Sequence, residues 1–174
     1  MKIREATPAD AATLARLCMG VQAIHLAMEP SFFRKPTRTE LVKFFRERLQ
    51  EAGFVGFVAL EDDAAVGYVL VHLVLRPAHV LVKRRLYAEI DQIHVDKRYR
   101  KKGVGRALIR HAIELAGKRG ARSVELNVWL QNERAVAAFK ALGFESLRQH
   151  MILRRFLTSS LPARRRPAGR RRRT

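Results

Sequence analysis

The chain has 174 residues, 48% of them apolar, with one cysteine and a formal net charge of +19. That length supports one domain with a substantial core and argues against two, while the lone Cys18 excludes an internal disulfide or a Cys cluster for zinc and predicts a reducing, cytoplasmic setting. The N-terminal MKIREATPAD lacks the apolar stretch of a signal peptide, and the longest apolar run, near Val66 to Leu75, is about half of what a bilayer span needs, so a soluble protein without a membrane span is expected.

Lys2 to Ala6 reads as a short strand. Thr7 and Asp10 form a capping pair with Pro8 at the first helical position, and a helix follows to about Met28 on the three- and four-residue recurrence of Leu14, Leu17, Val21, Ile24 and Ala27. Pro30 and Pro36 break it. A second helix is expected over Thr39 to about Ala52, with Leu41, Phe44, Phe45 and Leu49 on one side. The period then changes to two: Phe54 to Leu60 and Ala65 to Leu75 make a β-hairpin around an acidic turn. Tyr87 to Val95 is a further strand, Gly103 to Arg119 a helix, Ser123 to Trp129 a strand, Asn132 to Leu142 a helix and Phe144 to Phe156 a last long strand.

Residues 158–174, TSSLPARRRPAGRRRRT, contribute seven arginines and no acid, which leaves +12 of the +19 for the rest. With no large apolar residue after Leu161, the segment cannot offset the entropy of ordering and is expected to be a disordered tail following a domain over residues 1–157. It reads equally as a solvated tail or, through residues 164–173, as a weak contact to nucleic acid or another anionic surface.

The layout predicts a single α/β domain with a mixed, mostly antiparallel twisted sheet and helices on both faces, because the hairpin is antiparallel while the strand–helix–strand unit from Tyr87 to Trp129 needs a crossover. Where that unit's first strand enters its helix stands VDKRYRKKGVGRAL, five basic residues before a Gly-x-Gly. A helix start offers unpaired N–H groups and a positive dipole end, and glycines let a phosphate approach the backbone. The segment lacks G-x-x-x-x-G-K-[ST], and Leu108 stands where the dinucleotide fingerprint needs its third glycine. A nucleoside triphosphate and NAD are therefore not indicated.

Arg100-Lys-Lys-Gly103-Val-Gly105 resembles the R/Q-x-x-G-x-G/A signature of the GCN5-related N-acetyltransferases, the GNAT family. Ile3 to Asp10 resembles that family's opening strand and helix, Val66-Gly67-Tyr68 its hairpin, and Asn132-Glu-Arg-Ala135 through Leu142-Gly143-Phe144 its last helix and Gly-Phe end, while HLAMEPSFFRKP, from His25, resembles the connection in a group of small bacterial members of mostly unassigned substrate. The resemblance covers about residues 1 to 156. It implies binding of acetyl-CoA, without a metal, and transfer of the acetyl group to an amine. The pyrophosphate would lie on the amides of Lys101, Lys102, Gly103, Val104, Gly105 and Arg106, with Arg100 beside them. The pantetheine arm would pair along Ile93, His94 and Val95, and Asn132 and Phe139 would lie near the cofactor. Asn132 reads equally as a helix N-cap.

The reaction needs a neutral amine, hence a base. Glu89 and Asp91 stand on the strand leading to the Gly-x-Gly, and a period of two puts Glu89, Asp91 and Ile93 on one face and His94 on the other. Glu89 lies eleven residues before Arg100, the spacing of the catalytic glutamate in the GNAT histone acetyltransferases, and is the first choice for the base; Asp91 is the second. Each acid reads equally as the structural partner of a nearby cation. Many family members have a tyrosine where this chain has Phe139, so the usual general acid is absent and Tyr87 is the substitute by strand position. The resemblance places the acceptor near His25, Phe32 and Phe33, and the basic HVLVKRRLY disfavours polycationic acceptors. A protein N-terminus, a lysine or an amine on an acidic small molecule remains, and relatives of this kind include homodimers.

Overall fold

The first strand, β1 (Lys2–Glu5), leads into a 3-10 turn at Pro8–Asp10 and then α1 (Ala11–Met28). The expected Thr7–Asp10 capping box is present, and Arg4 donates two hydrogen bonds to the Asp10 carboxylate at 2.8 and 2.7 Å. The Arg4 guanidinium is the main reason that the Asp10 pKa falls to about 2. A second capping box, Thr37 with Glu40, starts α2 (Arg38–Arg48). The computed structural model describes residues 1–153, so the Arg-rich segment and the end of the expected last strand lie outside the described residues.

Strands β2 (Phe54–Glu61), β3 (Ala64–Arg76) and β4 (Arg85–Val95) precede α3 (Val104–Lys118), β5 (Val124–Leu126) and α4 (Glu133–Lys140). The β2–β3 connection is tight, with Asp62 and Asp63 at φ 45° and 59°, backbone that Asp tolerates better than most residues. The five-stranded sheet follows chain order; neighbours are antiparallel except for the parallel pair β4–β5. This is the mixed, mostly antiparallel sheet the sequence predicts.

Cross-strand partners share a face, so Val58, Tyr68 and Leu70 line one side of the sheet. There they join Leu14, Leu17 and Cys18 of α1 and Leu41 and Phe45 of α2 in one buried cluster. Pro8–Met28 is long and apolar enough to cross a bilayer by length and composition, and 28% of that window is buried. Helix α3 covers the other face with buried Val104, Leu108 and Ala112, and its His111 meets Phe57 of β2. Gly67 permits that approach: a Cβ there would stand 2.8 Å from the His94 carbonyl oxygen and 3.3 Å from Leu108 Cδ1. Gly67→Ala should therefore cost about 1–3 kcal/mol, read as a lower urea midpoint with an unchanged m-value.

Two expectations fail. Strand β5 holds three residues, where Ser123 to Trp129 was expected. Residues 144–153, part of a second unit that begins at Phe144, form no strand, and Leu147, Met151, Ile152 and Leu153 are exposed. Alternation describes what a strand would bury if it had a partner, and it does not supply the partner.

Candidate functional site

A β-bulge shapes the middle of β4. Leu70 of β3 pairs with Gln92 and Val71 pairs with Ile90, so Asp91 is the extra residue. A bulge resets the alternation. Glu89 pairs with His72, Gln92 with Leu70 and His94 with Tyr68, which places Glu89, Gln92 and His94 together on the α1 face, while Ile93, opposite Val69, turns toward α3. Strict period two had put Ile93 with Glu89 and His94 opposite; the extra residue reverses both assignments.

Glu89 and Asp91 remain neighbours. Glu89 Oε1 accepts a 2.8 Å hydrogen bond from Asn127 Nδ2, just past β5. Asp91 is solvent-accessible, yet its pKa is raised, first by desolvation and also by the Glu89 charge, against the opposing effects of Arg48 and His72. Behind the acids, Gln92 Oε1 accepts from the Tyr68 hydroxyl at 2.8 Å and from Cys18 Sγ at 3.5 Å. Burial raises the pKa of both donors.

The β4–β5 ladder ends at Ile90–Leu126. Beyond it, Asp91 to Val95 have β3 on one side and no strand among the described residues on the other, leaving an extended edge open to an added hydrogen-bonding chain. That edge runs into the basic loop. Arg100 Nε donates to the Val95 carbonyl at 2.8 Å, Lys101 adopts φ 62°, Lys102 lies over the Tyr99 ring at 5.3 Å, and Gly103 caps α3 in the left-handed region at φ 84°. The side chains of Lys101, Lys102 and Arg106 are exposed, and Val104 is buried beneath them. Gly103 O receives its first helical bond from Ala107 N, so the amides of Val104, Gly105 and Arg106 precede the ladder. A Cβ on Gly103 would meet nothing within 4 Å, and one on Gly105 only Val95 Cγ2 at 3.8 Å. Protein packing thus leaves open space over these amides, which suits a phosphate-bearing ligand.

The α1–α2 connection meets the loop after β5 through aromatic rings. His25 stacks on Phe33 at 4.8 Å, and Phe32 and Phe33 both meet Trp129 edge-on, at 5.3 and 5.2 Å. Trp129 sits two residues beyond Asn127, the partner of Glu89. The three residues expected near the acceptor therefore do come together, around a fourth that the sequence gave no reason to choose.

The sequence profile described as the Acetyltransferase (GNAT) family matches residues 21–144. The chain belongs to this family. A GNAT-type relative, the peptidyl-lysine N-acetyltransferase YjaB of Escherichia coli, is 33% identical over 129 residues, 74% of this chain and 70% of that protein. An uncharacterized N-acetyltransferase of Methanocaldococcus jannaschii is 50% identical over 37% of this chain, and the E. coli [ribosomal protein bS18]-alanine N-acetyltransferase 40% identical over 33%. These two matches span only 28% and 38% of the relatives' lengths. Among solved structures, a tetramutant of the BH1408 protein of Bacillus halodurans superposes with a TM-score of 0.84 at 28% identity, covering 88% of this chain and 99% of that one.

As a GNAT, the chain departs from expectation at Tyr87. This residue is buried under Arg85, whose guanidinium lies 4.5 Å over its ring, and its hydroxyl faces Arg76 Nη2 at 3.5 Å, upstream of the β4–β5 ladder and away from the open edge. Asn132 caps α4, its Oδ1 accepting from Ala135 N at 3.3 Å. Phe139 lies on α4, partly buried. Asn127, Gln92 and Trp129 were missed because no spacing marks them; the one available signal was Trp129 as the sole tryptophan. Among the described residues no group of three or more His, Cys, Asp or Glu could hold a metal ion.

His94 is 7% exposed and lies against Gly20 of α1. Desolvation, reinforced by Arg100 and opposed by Asp96, lowers its pKa to about 4. The unfolded chain takes up this proton near pH 6.5 and the folded chain only near pH 4. Stability is thus retained above pH 6.5 and lost as pH falls through that window, by on the order of 2–3 kcal/mol. His94→Gln should flatten this part of the curve of melting temperature against pH.

Proposed function

We propose that this chain transfers the acetyl group of acetyl-CoA to a primary amine by direct attack of the amine on the thioester in a ternary complex. The observation that carries this reading is the position of Glu89: bound to Asn127 where the β4–β5 ladder ends, it stands at the start of the open edge that leads to the Gly103–Gly105 cradle.

Acetyl-CoA, when bound, supplies a thioester carbonyl for the amine to attack and leaves as the thiolate of CoA. The amides of Lys101 to Arg106 and the Arg100, Lys101, Lys102 and Arg106 cations hold its pyrophosphate. The open edge at Ile93, His94 and Val95 pairs with its pantetheine amides, the His94 ring being turned inward while its backbone serves. Glu89 takes a proton from the incoming ammonium, whose solution pKa is near 10. Asp91 adds the second negative charge that draws that ammonium in. A thiol with a pKa near 8.5 departs as thiolate at modest cost, so phenylalanine at position 139 does not abolish turnover.

The acceptor belongs to the class of protein N-termini, lysines and small-molecule amines, and the E. coli relatives named for lysine and alanine acetylation support a protein amine. Phe139, standing where many GNATs carry a tyrosine, favours a second reading: an acetyl-CoA sensor or slow catalyst tethered to a polyanion by the Arg-rich tail. An amine and peptide panel assayed for CoA release separates them. Turnover supports the enzyme, whereas CoA-induced stabilisation without turnover of any amine supports the sensor.

A further inference from the structure

The aromatic cluster is tied to Glu89 through the loop after β5. Helix α1 presents Cys18, held to Gln92 at 3.5 Å, and two turns later His25. The loop after β5 carries Asn127, bound to Glu89, and then Trp129. The α1–α2 connection adds Phe32 and Phe33, whose rings lie 5.1 Å apart and both reach Trp129. Trp129 therefore links the rings to the acid pair, standing two residues beyond the Asn127 that Glu89 binds. Phe32 is 71% exposed although its ring could bury far more surface, and the pKa of His25 is lowered by desolvation, as for an imidazole held among apolar groups.

Carboxylates for a further positive charge are few around these rings. No acid occurs in sequence between Asp63 and Glu89. Glu125 is bound by Arg85 and Glu40 by Arg34, and the Arg48 cation acts on Asp91, while Glu29, which accepts from Ser31 Oγ, keeps its charge at the end of α1. An acceptor with several ammonium groups would find few acids beyond Glu89 and Asp91 and otherwise aromatic faces or like charge. One ammonium beside an apolar body matches the acid pair and the rings linked to it.

We infer that His25, Phe32, Phe33 and Trp129 form an acceptor subsite for an apolar group, aromatic or branched, attached close to the reacting amine, and that the acceptor is a hydrophobic monoamine. This rests on the acetyl-transfer reading above. A free arylalkylamine and a peptide with an apolar N-terminal residue share this chemistry, and binding distinguishes them.

Trp129, the sole tryptophan, reports on the subsite directly. The full chain, saturated with CoA, is titrated with 2-phenylethylamine, n-propylamine, pentane-1,5-diamine and Phe-Gly-Gly-amide while its fluorescence is followed, and CoA binding is checked separately by thermal shift. 2-Phenylethylamine, the peptide or both should bind at least about tenfold more tightly than n-propylamine, as burial of a ring implies, and the tighter of the two names the source. Phe32→Ser, a change at an exposed position, should erase most of that preference while leaving the CoA-induced shift intact. Equal affinity for n-propylamine, tighter binding of the diamine, or an unchanged preference in Phe32→Ser would overturn the inference. Absence of a CoA-induced shift would instead overturn the acetyl-transfer reading.

Discussion

Glu89→Gln should lower kcat by about 10²- to 10³-fold, the usual contribution of a positioned general base, and leave the affinity for acetyl-CoA unchanged. Glutamine keeps an oxygen to accept the Asn127 amide hydrogen bond, so the loop after β5 retains its anchor and only the proton acceptor is lost. The pH profile should change as well. In the wild-type chain the rate rises as the amine loses its proton with help from Glu89; in the variant it should follow the free amine's own titration, recovering part of the loss at high pH. Asp91→Asn should cost less, with the effect mainly in the KM for the amine, because the role proposed for Asp91 is to attract the ammonium and not to take its proton. Equal losses at both positions, confined to KM, would assign the pair to acceptor binding alone.

Gly105→Leu should separate ligand binding from folding by moving the two in opposite directions. Residue 105 lies in the first turn of α3, where glycine is about 0.8–1 kcal/mol worse than a good helix former, and a Cβ there meets only Val95 Cγ2 at 3.8 Å. Thermal stability without ligand should hold or rise. Acetyl-CoA affinity should fall about 100-fold or more, because the side chain would cover the amides proposed to hold the pyrophosphate. Gly103 makes a weaker test, since its φ of 84° would strain any other residue and confound the two effects.

Much of this fold was legible because its elements announce themselves locally. The Thr7–Asp10 pair, the change of period at Phe54 and the glycines before α3 each act over a few residues, and the structure keeps them. What was not legible depends on partners distant in sequence. The bulge at Asp91 exists through register with Leu70 and Val71 of β3, and no pattern within β4 reveals it; one extra residue was enough to move His94 from the opposite face to the face that Glu89 occupies. The expected strand over residues 144–156 has the right alternation, but in its described part, up to Leu153, it lacks a ladder. At the site, the glycine cradle was readable as a motif because backbone chemistry demands glycine there. Asn127 and Trp129 were not, because a hydrogen bond across 38 positions and a ring contact across nearly a hundred leave no mark on spacing.

The most direct measurement of the central claim is a mass balance on the wild-type chain with acetyl-CoA and a panel of primary amines, counting acetylated amine and free CoA together. One N-acetyl product for each CoA released, at a rate that depends on both substrates and falls in Glu89→Gln, is the predicted result. Release of CoA without an acetylated amine, or a rate that Glu89→Gln leaves unchanged, would contradict it.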